Sequence, residues 1–237
     1  MSHREIPLAT KADRCRRFAY GTALWAALLS MTHNCEAQDP PDPPEDHSCT
    51  VQAAGSFTSA FGKDGRNFNN GWGFQTGGGF AVSRPAEPGQ GVSAFVTANF
   101  MFDQLGSTAS ALTQATFNNA ALASATSARG KFYATTLDPT FRFPLNRRAN
   151  LYLLGGFGWF RRSVEFSAAN PGTLTQSAGT PLAKSVLNSG VFDAGGGVNV
   201  GLRKRGGPML YIELRLYHGL AANSATMLLP LSVGVRW

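Results

Sequence analysis

Residues 227–237 form a strand pattern that few folds can use. Every second residue from Met227 to Trp237 is apolar, while the intervening positions from 230 to 236 hold Pro230, Ser232, Gly234 and Arg236. Side chains alternate between the two faces of a strand, so one face would be wholly apolar. A soluble protein seldom ends on such a strand. A transmembrane β-barrel does so routinely, because its last strand closes the barrel against the first and shows one face to lipid.

The N-terminal segment has the features of a secretory signal peptide. Basic residues at 14–17 precede an apolar run over 18–31, and Ala37 offers a small residue for cleavage. A membrane-spanning helix is the alternative, but the run is shorter than the about 20 apolar residues that a bilayer requires. A lipoprotein site at Cys35 or a twin-arginine signal fits the flanking residues less well. We therefore expect residues 1–37 to be a signal peptide.

Composition divides the remaining chain into two parts. Residues 38–49 are rich in proline and acidic residues, which predicts an extended periplasmic leader. Residues 50–237 have the size of one domain. With 43% hydrophobic residues and a mean hydropathy of -0.11, the chain is too polar for helical membrane passage beyond the signal. The strands of a transmembrane barrel do not raise the mean hydropathy in this way, since only alternate residues face lipid.

Eight segments of alternating or partly alternating character follow one another in this domain. Counted from the C terminus, the connections between them alternate between shorter and longer, with the longest at 105–130 and 167–184. Short periplasmic turns and longer extracellular loops are typical of outer-membrane barrels, and an even strand number places both termini in the periplasm. The fifth segment allows two registers, with either Leu151 and Leu153 or Tyr152 and Leu154 facing lipid. The predicted strands are 51–61, 72–82, 92–102, 133–143, 151–166, 187–202, 210–220 and 227–237.

Several motifs carry a family resemblance. Residues 70–74 read Asn-Gly-Trp-Gly-Phe, residues 194–198 read Ala-Gly-Gly-Gly-Val, and residues 152–158, 212–218 and 229–237 add further strand motifs. Together they resemble small outer-membrane β-barrel proteins of the opacity and OmpA-like type, over about residues 50–237. The resemblance implies an all-β fold: an eight-stranded antiparallel transmembrane β-barrel with meander topology. It also implies that Trp237, with Val235 and Val233, forms the signal read by the outer-membrane assembly machinery. We expect no C-terminal peptidoglycan-binding domain of the kind found in two-domain OmpA-like proteins.

The polar faces of the predicted strands point into the barrel. An eight-stranded barrel is just wide enough for side chains to fill its interior, so no open pore is expected. Charges shielded from water need partners, so the inward charged residues should pair across strands. We interpret them as a structural ion-pair network and not as an ion pathway. Its members are Asp138, Arg142, Asp193, Glu213, Arg215 and Arg236.

The expected function is a structural or surface-interaction role in the cell outer membrane, carried by loops 105–130 and 167–184. The alternatives are a narrow channel and, as a weaker one, a lipid A-modifying enzyme that pairs His218 with Ser163, Ser185 or Ser189. Nothing here forms a recognisable catalytic signature, so we predict no catalysis. His3, His33 and His47 lie in the signal or leader, so neither metal nor cofactor is expected. Outer-membrane lipid and the assembly machinery are the expected partners, with no nucleic acid, an unidentified extracellular ligand, and a monomeric state.

Overall fold

The fold is described from a computed structural model of the full chain. It describes residues 49–83, 91–119, 122–146, 148–168, 180–202, 207–221 and 225–237. The predicted signal peptide, its cleavage position and residues 38–48 of the predicted leader lie outside these ranges. The first strand begins at Cys49, one residue before the expected start of the domain.

The described chain is an antiparallel meander that closes on itself. Each strand pairs with the next in sequence, and the last pairs with the first, which gives a closed eight-stranded barrel. The expected fold class is therefore confirmed. In the described parts of the connections lie two helices, α1 (Gly62–Gly65) and α2 (Ala109–Asn118). The strands are β1 (Cys49–Phe61), β2 (Phe68–Ser83), β3 (Ser93–Ser107), β4 (Ser127–Pro144), β5 (Ala149–Ala168), β6 (Thr180–Gly201), β7 (Met209–Gly219) and β8 (Thr226–Arg236).

Closure depends on the C-terminal strand. β8 pairs along β1 from Gln52–Arg236 to Phe61–Met227. Beyond this ladder, Val51 and Trp237 exchange two backbone hydrogen bonds of 2.9 and 2.8 Å. Full closure removes both sheet edges, so no strand leaves a row of unpaired backbone groups in contact with lipid.

The barrel has two distinct ends. We call the end that holds Cys49 and Trp237 the terminal end, and the opposite end, which holds both helices, the loop end. The connections at the loop end follow β1, β3, β5 and β7, and they include the two longest, 108–126 and 169–179. Both segments are shorter than the predicted loops 105–130 and 167–184, because β3, β4, β5 and β6 extend further toward the loop end than expected.

Polarity is reversed relative to a soluble protein. Polar and charged residues such as Asp103, Asn199 and Arg215 are fully buried inside the barrel, whereas Trp72 and Phe157 are more than 60% exposed on its outer surface. An outer surface this apolar is stable only against hydrocarbon, so the barrel is a membrane-spanning structure. Among the described helices, none has the length and apolar character needed to cross a bilayer.

The register of β5, which the sequence left open, is now fixed. Tyr152, Leu154 and Phe160 are buried inside the barrel, while Leu151 and Leu153 face outward. The apolar residues of β5 therefore serve both faces, and this explains why its alternation is ambiguous in the sequence.

Glycine allows neighbouring strands to approach closely at several positions. A Cβ atom at Gly158 would collide with the backbone oxygen of Thr135 on the paired strand β4. At Gly55, by contrast, a Cβ atom would meet nothing within 4 Å. Many of the glycines are therefore a packing requirement of the curved wall, and not turn residues.

Candidate functional site

The centre of the lumen is organised around one arginine. Arg215 on β7 is fully buried and lies 2.9 Å from Asp138 on β4, 3.2 Å from Asp193 on β6 and 2.9 Å from Glu213 on its own strand. Asp138 also accepts hydrogen bonds from Asn99 and Thr136. One guanidinium group therefore joins three strands through three carboxylates, as charge-assisted hydrogen bonds in a water-poor site allow.

A second cation lies nearer the terminal end. Arg236 of β8 donates to Gln52 of β1 and, at 2.9 Å, to Asn199 of β6. Its guanidinium group is 4.5 Å from the ring centroid of Tyr152 and 4.7 Å from that of Tyr211. Glu213 connects this cation to the first cluster, since it lies 3.9 Å from Arg236. The side chain of Arg236 thus ties the closing strand to strands on the far side of the lumen.

Arg142, the remaining predicted cation, occupies a separate place in the lumen. It donates to Thr50 at 3.4 Å, and its guanidinium group lies 3.7 Å from the ring centroid of Phe95. The structure thus brings five of the six predicted lumen residues, Asp138, Asp193, Glu213, Arg215 and Arg236, into one connected set.

Asp103 was absent from the predicted set, yet it is fully buried in the lumen and accepts a 2.9 Å hydrogen bond from Ser56. The signal was present in the sequence, because the inward alternation of Thr97 and Asn99 continues through Met101 to Asp103. Prediction stopped the strand at Phe102, one residue too early.

Apolar side chains fill the lumen between the charged cluster and the loop end. They come from β2, β3, β4, β5, β6, β7 and β8, and several are fully buried. Charged and polar side chains, together with Phe95 and a second cluster of Tyr152, Leu154 and Tyr211, occupy the rest of the described lumen. The described interior is therefore a packed core and not an open passage. The apolar cluster contains Phe68, Met101, Leu105, Phe132, Ala134, Phe160, Val191, Tyr217 and Leu228.

His218 does not meet any of the three serines considered as nucleophiles. It faces outward on β7 and is paired with Phe192 of β6. Ser163 is paired with Val186 of β6, and Val186 lies six positions from Phe192, which is about 20 Å at strand rise. Ser189 points into the lumen, on the face opposite to His218, and Ser185 lies seven positions from Phe192. None of these pairs can form the hydrogen bond that a serine nucleophile requires. The described residues also contain no group of three or more side chains suited to a metal ion.

The loop end carries the accessible features. Helix α2 begins after Thr108, whose side chain caps it by accepting a 3.2 Å hydrogen bond from the backbone of Ala111, and it buries none of its residues. Phe117 on this helix is 89% exposed. Between the start of α2 and the ends of β3 and β4 lies a cavity of about 330 Å³, lined by hydroxyl side chains, Leu112 and Arg129.

A closed barrel with an apolar outer wall and a filled, charged lumen defines a small membrane-spanning β-barrel of the outer-membrane type. The chain has the fold of Neisserial surface protein A, with a TM-score of 0.52 and 15% identity over 80% of this chain and 96% of that one. Ail of Yersinia pestis aligns with a TM-score of 0.45 and 14% identity, over 80% and 97% of the two chains.

The outer membrane enzyme PagL aligns with a TM-score of 0.39 and 12% identity, over 79% and 97% of the two chains. At these identities the likeness concerns the fold alone. No family model and no curated protein matches the sequence.

Proposed function

We propose that this protein is an outer-membrane barrel with a structural or surface-interaction role, exerted through its loop end, and that it neither conducts nor catalyses. The filled lumen is the observation that carries the proposal. Because the Arg215 ion pairs and the apolar cluster occupy the described interior, other molecules can contact the barrel at its outer wall and at its loop end. An exposed aromatic residue on a rigid scaffold, such as Phe117, is a common kind of contact residue.

The channel alternative is tested with purified protein in planar bilayers. A narrow passage would have to run past Glu213 and Arg215, so Glu213→Ala or Arg215→Ala would change its conductance. We expect no conductance from the native chain or from Glu213→Ala. Single-channel steps in the native protein that change in the variant would overturn the proposal.

The enzyme alternative is tested on the lipid A of expressing cells. We expect the lipid A mass spectrum to be the same in cells with the native chain, with His218→Ala and with an empty vector, because His218 reaches none of the three serines. A modification present with the native chain and lost in His218→Ala would contradict the proposed absence of catalysis.

Location and orientation are tested by labelling introduced cysteines with a membrane-impermeant maleimide. Ser110→Cys lies on the exposed helix α2, and Asn146→Cys lies in an exposed turn at the terminal end. We expect Ser110→Cys to react on intact cells and Asn146→Cys to react only after permeabilisation, with the unsubstituted chain as background. The opposite pattern would mean that the loop end faces the periplasm.

Complementation of a deletion strain tests whether the loop end carries the surface-interaction role. One chain is native, and the other has residues 109–118 replaced by a Gly/Ser segment of equal length. Equal amounts of heat-modifiable protein in the outer membrane ensure that both barrels fold. We expect the exchanged chain to restore the membrane barrier while losing adhesion or aggregation that the native chain confers. Full restoration of every trait would leave a structural role and refute the interaction role of α2.

A further inference from the structure

The outer wall of the barrel changes character where β4, β5 and β6 extend toward the loop end. On β4 and β5, Tyr133 and Trp159 are the last apolar residues of the outer face before the loop end, and aromatic residues of this kind sit at the boundary between hydrocarbon and headgroups. Three outward-facing cations of β4 and β6 lie nearer the loop end, and a fourth, on β5, is paired directly with Tyr133. We call this set the cationic wall; it consists of Arg129, Lys131, Arg161 and Lys184.

The cationic wall has an excess of positive charge. Glu165 on β5 is its acidic member, and it lies 2.8 Å from both Lys131 and Lys184. Hydrogen bonds from these lysines lower the pKa of Glu165 to about 2. The carboxylate therefore remains charged and holds the two lysines in place, which leaves the guanidinium groups of Arg129 and Arg161 without an ion-pair partner among the described residues.

A polar group in the middle of the wall also lacks a partner. Ser163 lies between Arg161 and Glu165 on the outward face of β5, is only 3% exposed, and its hydroxyl makes no hydrogen bond. A buried hydroxyl without a partner is costly, and such groups are rare in folded proteins. The guanidinium groups of Arg129 and Arg161 provide the donors that a phosphate group accepts. The Ser163 hydroxyl lies beside them but is covered by protein atoms, so it counts only as an unsatisfied polar group within the wall.

The spacing of the two arginines indicates what kind of anion fits. Arg129 is paired with Glu165, four positions along β5 from Arg161, or about 13 Å at strand rise. This is a separation of backbone positions, and it leaves room between the two long side chains for more than one phosphate group. A headgroup that carries two phosphates on a sugar framework, anchored by acyl chains against the apolar wall below, can contact both.

We propose that the cationic wall binds the bisphosphorylated glycolipid headgroup of the outer leaflet, the lipid A type, at the boundary marked by Tyr133 and Trp159. This inference deepens the proposed function, because it relies on the loop end facing outward. It gives the barrel a specific lipid partner on the wall, separate from any contact made by α2.

The test measures lipid binding to the purified barrel in detergent by native mass spectrometry. The probes are bisphosphorylated lipid A, monophosphorylated lipid A, the fully dephosphorylated glycolipid and inorganic phosphate. We expect the bisphosphorylated form to bind most tightly and the dephosphorylated form to bind at background level. Millimolar inorganic phosphate should not displace the lipid, because a free ion has no acyl chains to contact the apolar wall below the cations.

The variant Arg129→Gln/Arg161→Gln removes the two unpaired cations. At roughly 1 kcal/mol per cation near a charged lipid surface, its affinity for bisphosphorylated lipid A should fall about 30-fold. The matched control is Arg66→Gln/Arg148→Gln, which removes two exposed arginines elsewhere on the barrel and should retain native affinity. Heat-modifiability gels verify that each variant folds.

Native affinity in Arg129→Gln/Arg161→Gln would overturn the proposal, as would an equal loss in the control or equal binding of the dephosphorylated lipid. Binding in detergent does not depend on orientation in the cell. A failure of lipid binding can therefore be distinguished from a failure of the proposed orientation, which the cysteine labelling of Ser110→Cys reports independently.

Discussion

Replacing Arg215 by methionine would test whether the lumen is held by one central cation. Arg215 is fully buried and is within 3.2 Å of three carboxylates. Methionine keeps a similar length and fills most of the volume, but it leaves Asp138, Asp193 and Glu213 buried without their shared partner. Removing one member of a buried ionic set costs roughly 3–5 kcal/mol, because the remaining charges stay desolvated. We expect a loss of at least this size here.

The assay is reversible urea unfolding of the barrel in lipid vesicles, followed by tryptophan fluorescence and by the heat-modifiable band on gels. Arg236→Met is the matched control, since Arg236 is equally buried but is hydrogen-bonded to the neutral side chains of Gln52 and Asn199, with Glu213 at 3.9 Å. Its loss should cost roughly 1–3 kcal/mol. The double variant Arg215→Met/Glu213→Gln should recover part of the free energy of unfolding, because it removes one of the buried carboxylates that Arg215→Met leaves without a cation.

The reasoning fails if Arg215→Met costs less than about 1 kcal/mol, or no more than Arg236→Met, because the three carboxylates would then not depend on a shared cation. A double variant less stable than Arg215→Met would equally contradict it, since the second change is designed to relieve the uncompensated charge.

Three further outcomes follow from the geometry of the wall and lumen. Gly158→Ala should lower the free energy of unfolding by roughly 1–3 kcal/mol through collision with β4, whereas Gly55→Ala should leave the urea midpoint unchanged. The Glu165 carboxylate has its pKa lowered from 4.5 to about 2, so its stabilising effect is present above about pH 4.5 and is lost as pH falls toward 2. Glu165→Gln should therefore lower the urea midpoint slightly at pH 7 and not at pH 2, and equal shifts at both would exclude the ion pairs as the cause. Phe132→Ala should widen the lumen without producing steady single-channel conductance, because Arg215 and its ion-pair partners still fill the centre of the lumen. Stable conductance steps in this variant would show that the Arg215 ion pairs alone do not close the lumen.

The sequence predicted the strands well where one face meets lipid. In β7 and β8, the outward positions from Leu210 to Leu216 and from Met227 to Val235 are all apolar, and both strands occur within one residue of their expected bounds at each end. Prediction was less accurate at the loop end, where β4 begins at Ser127 and β6 at Thr180, six and seven residues earlier than expected. These extensions lie beyond the apolar belt and carry polar residues outward, so the alternation that identifies a membrane strand is missing there.

The candidate site could be predicted only in part. Alternation assigns Asp138, Asp193 and Arg215 to the lumen face, because facing direction is a local property with period two. It does not say that Arg215 meets Asp138, which is 77 positions away in sequence. That contact depends on the register of successive strand pairs and on closure of the barrel.

The sequence by itself determined the architecture, since the alternation of side chains and the C-terminal strand leave few stable alternatives to a barrel in lipid. Only the tertiary structure decided which charges pair, that Asp103 joins the lumen, that His218 stands apart from Ser163, and that four cations from three strands form one wall. The physical reason is that strand pairing brings together residues distant in the chain, and each register places an entire strand at once.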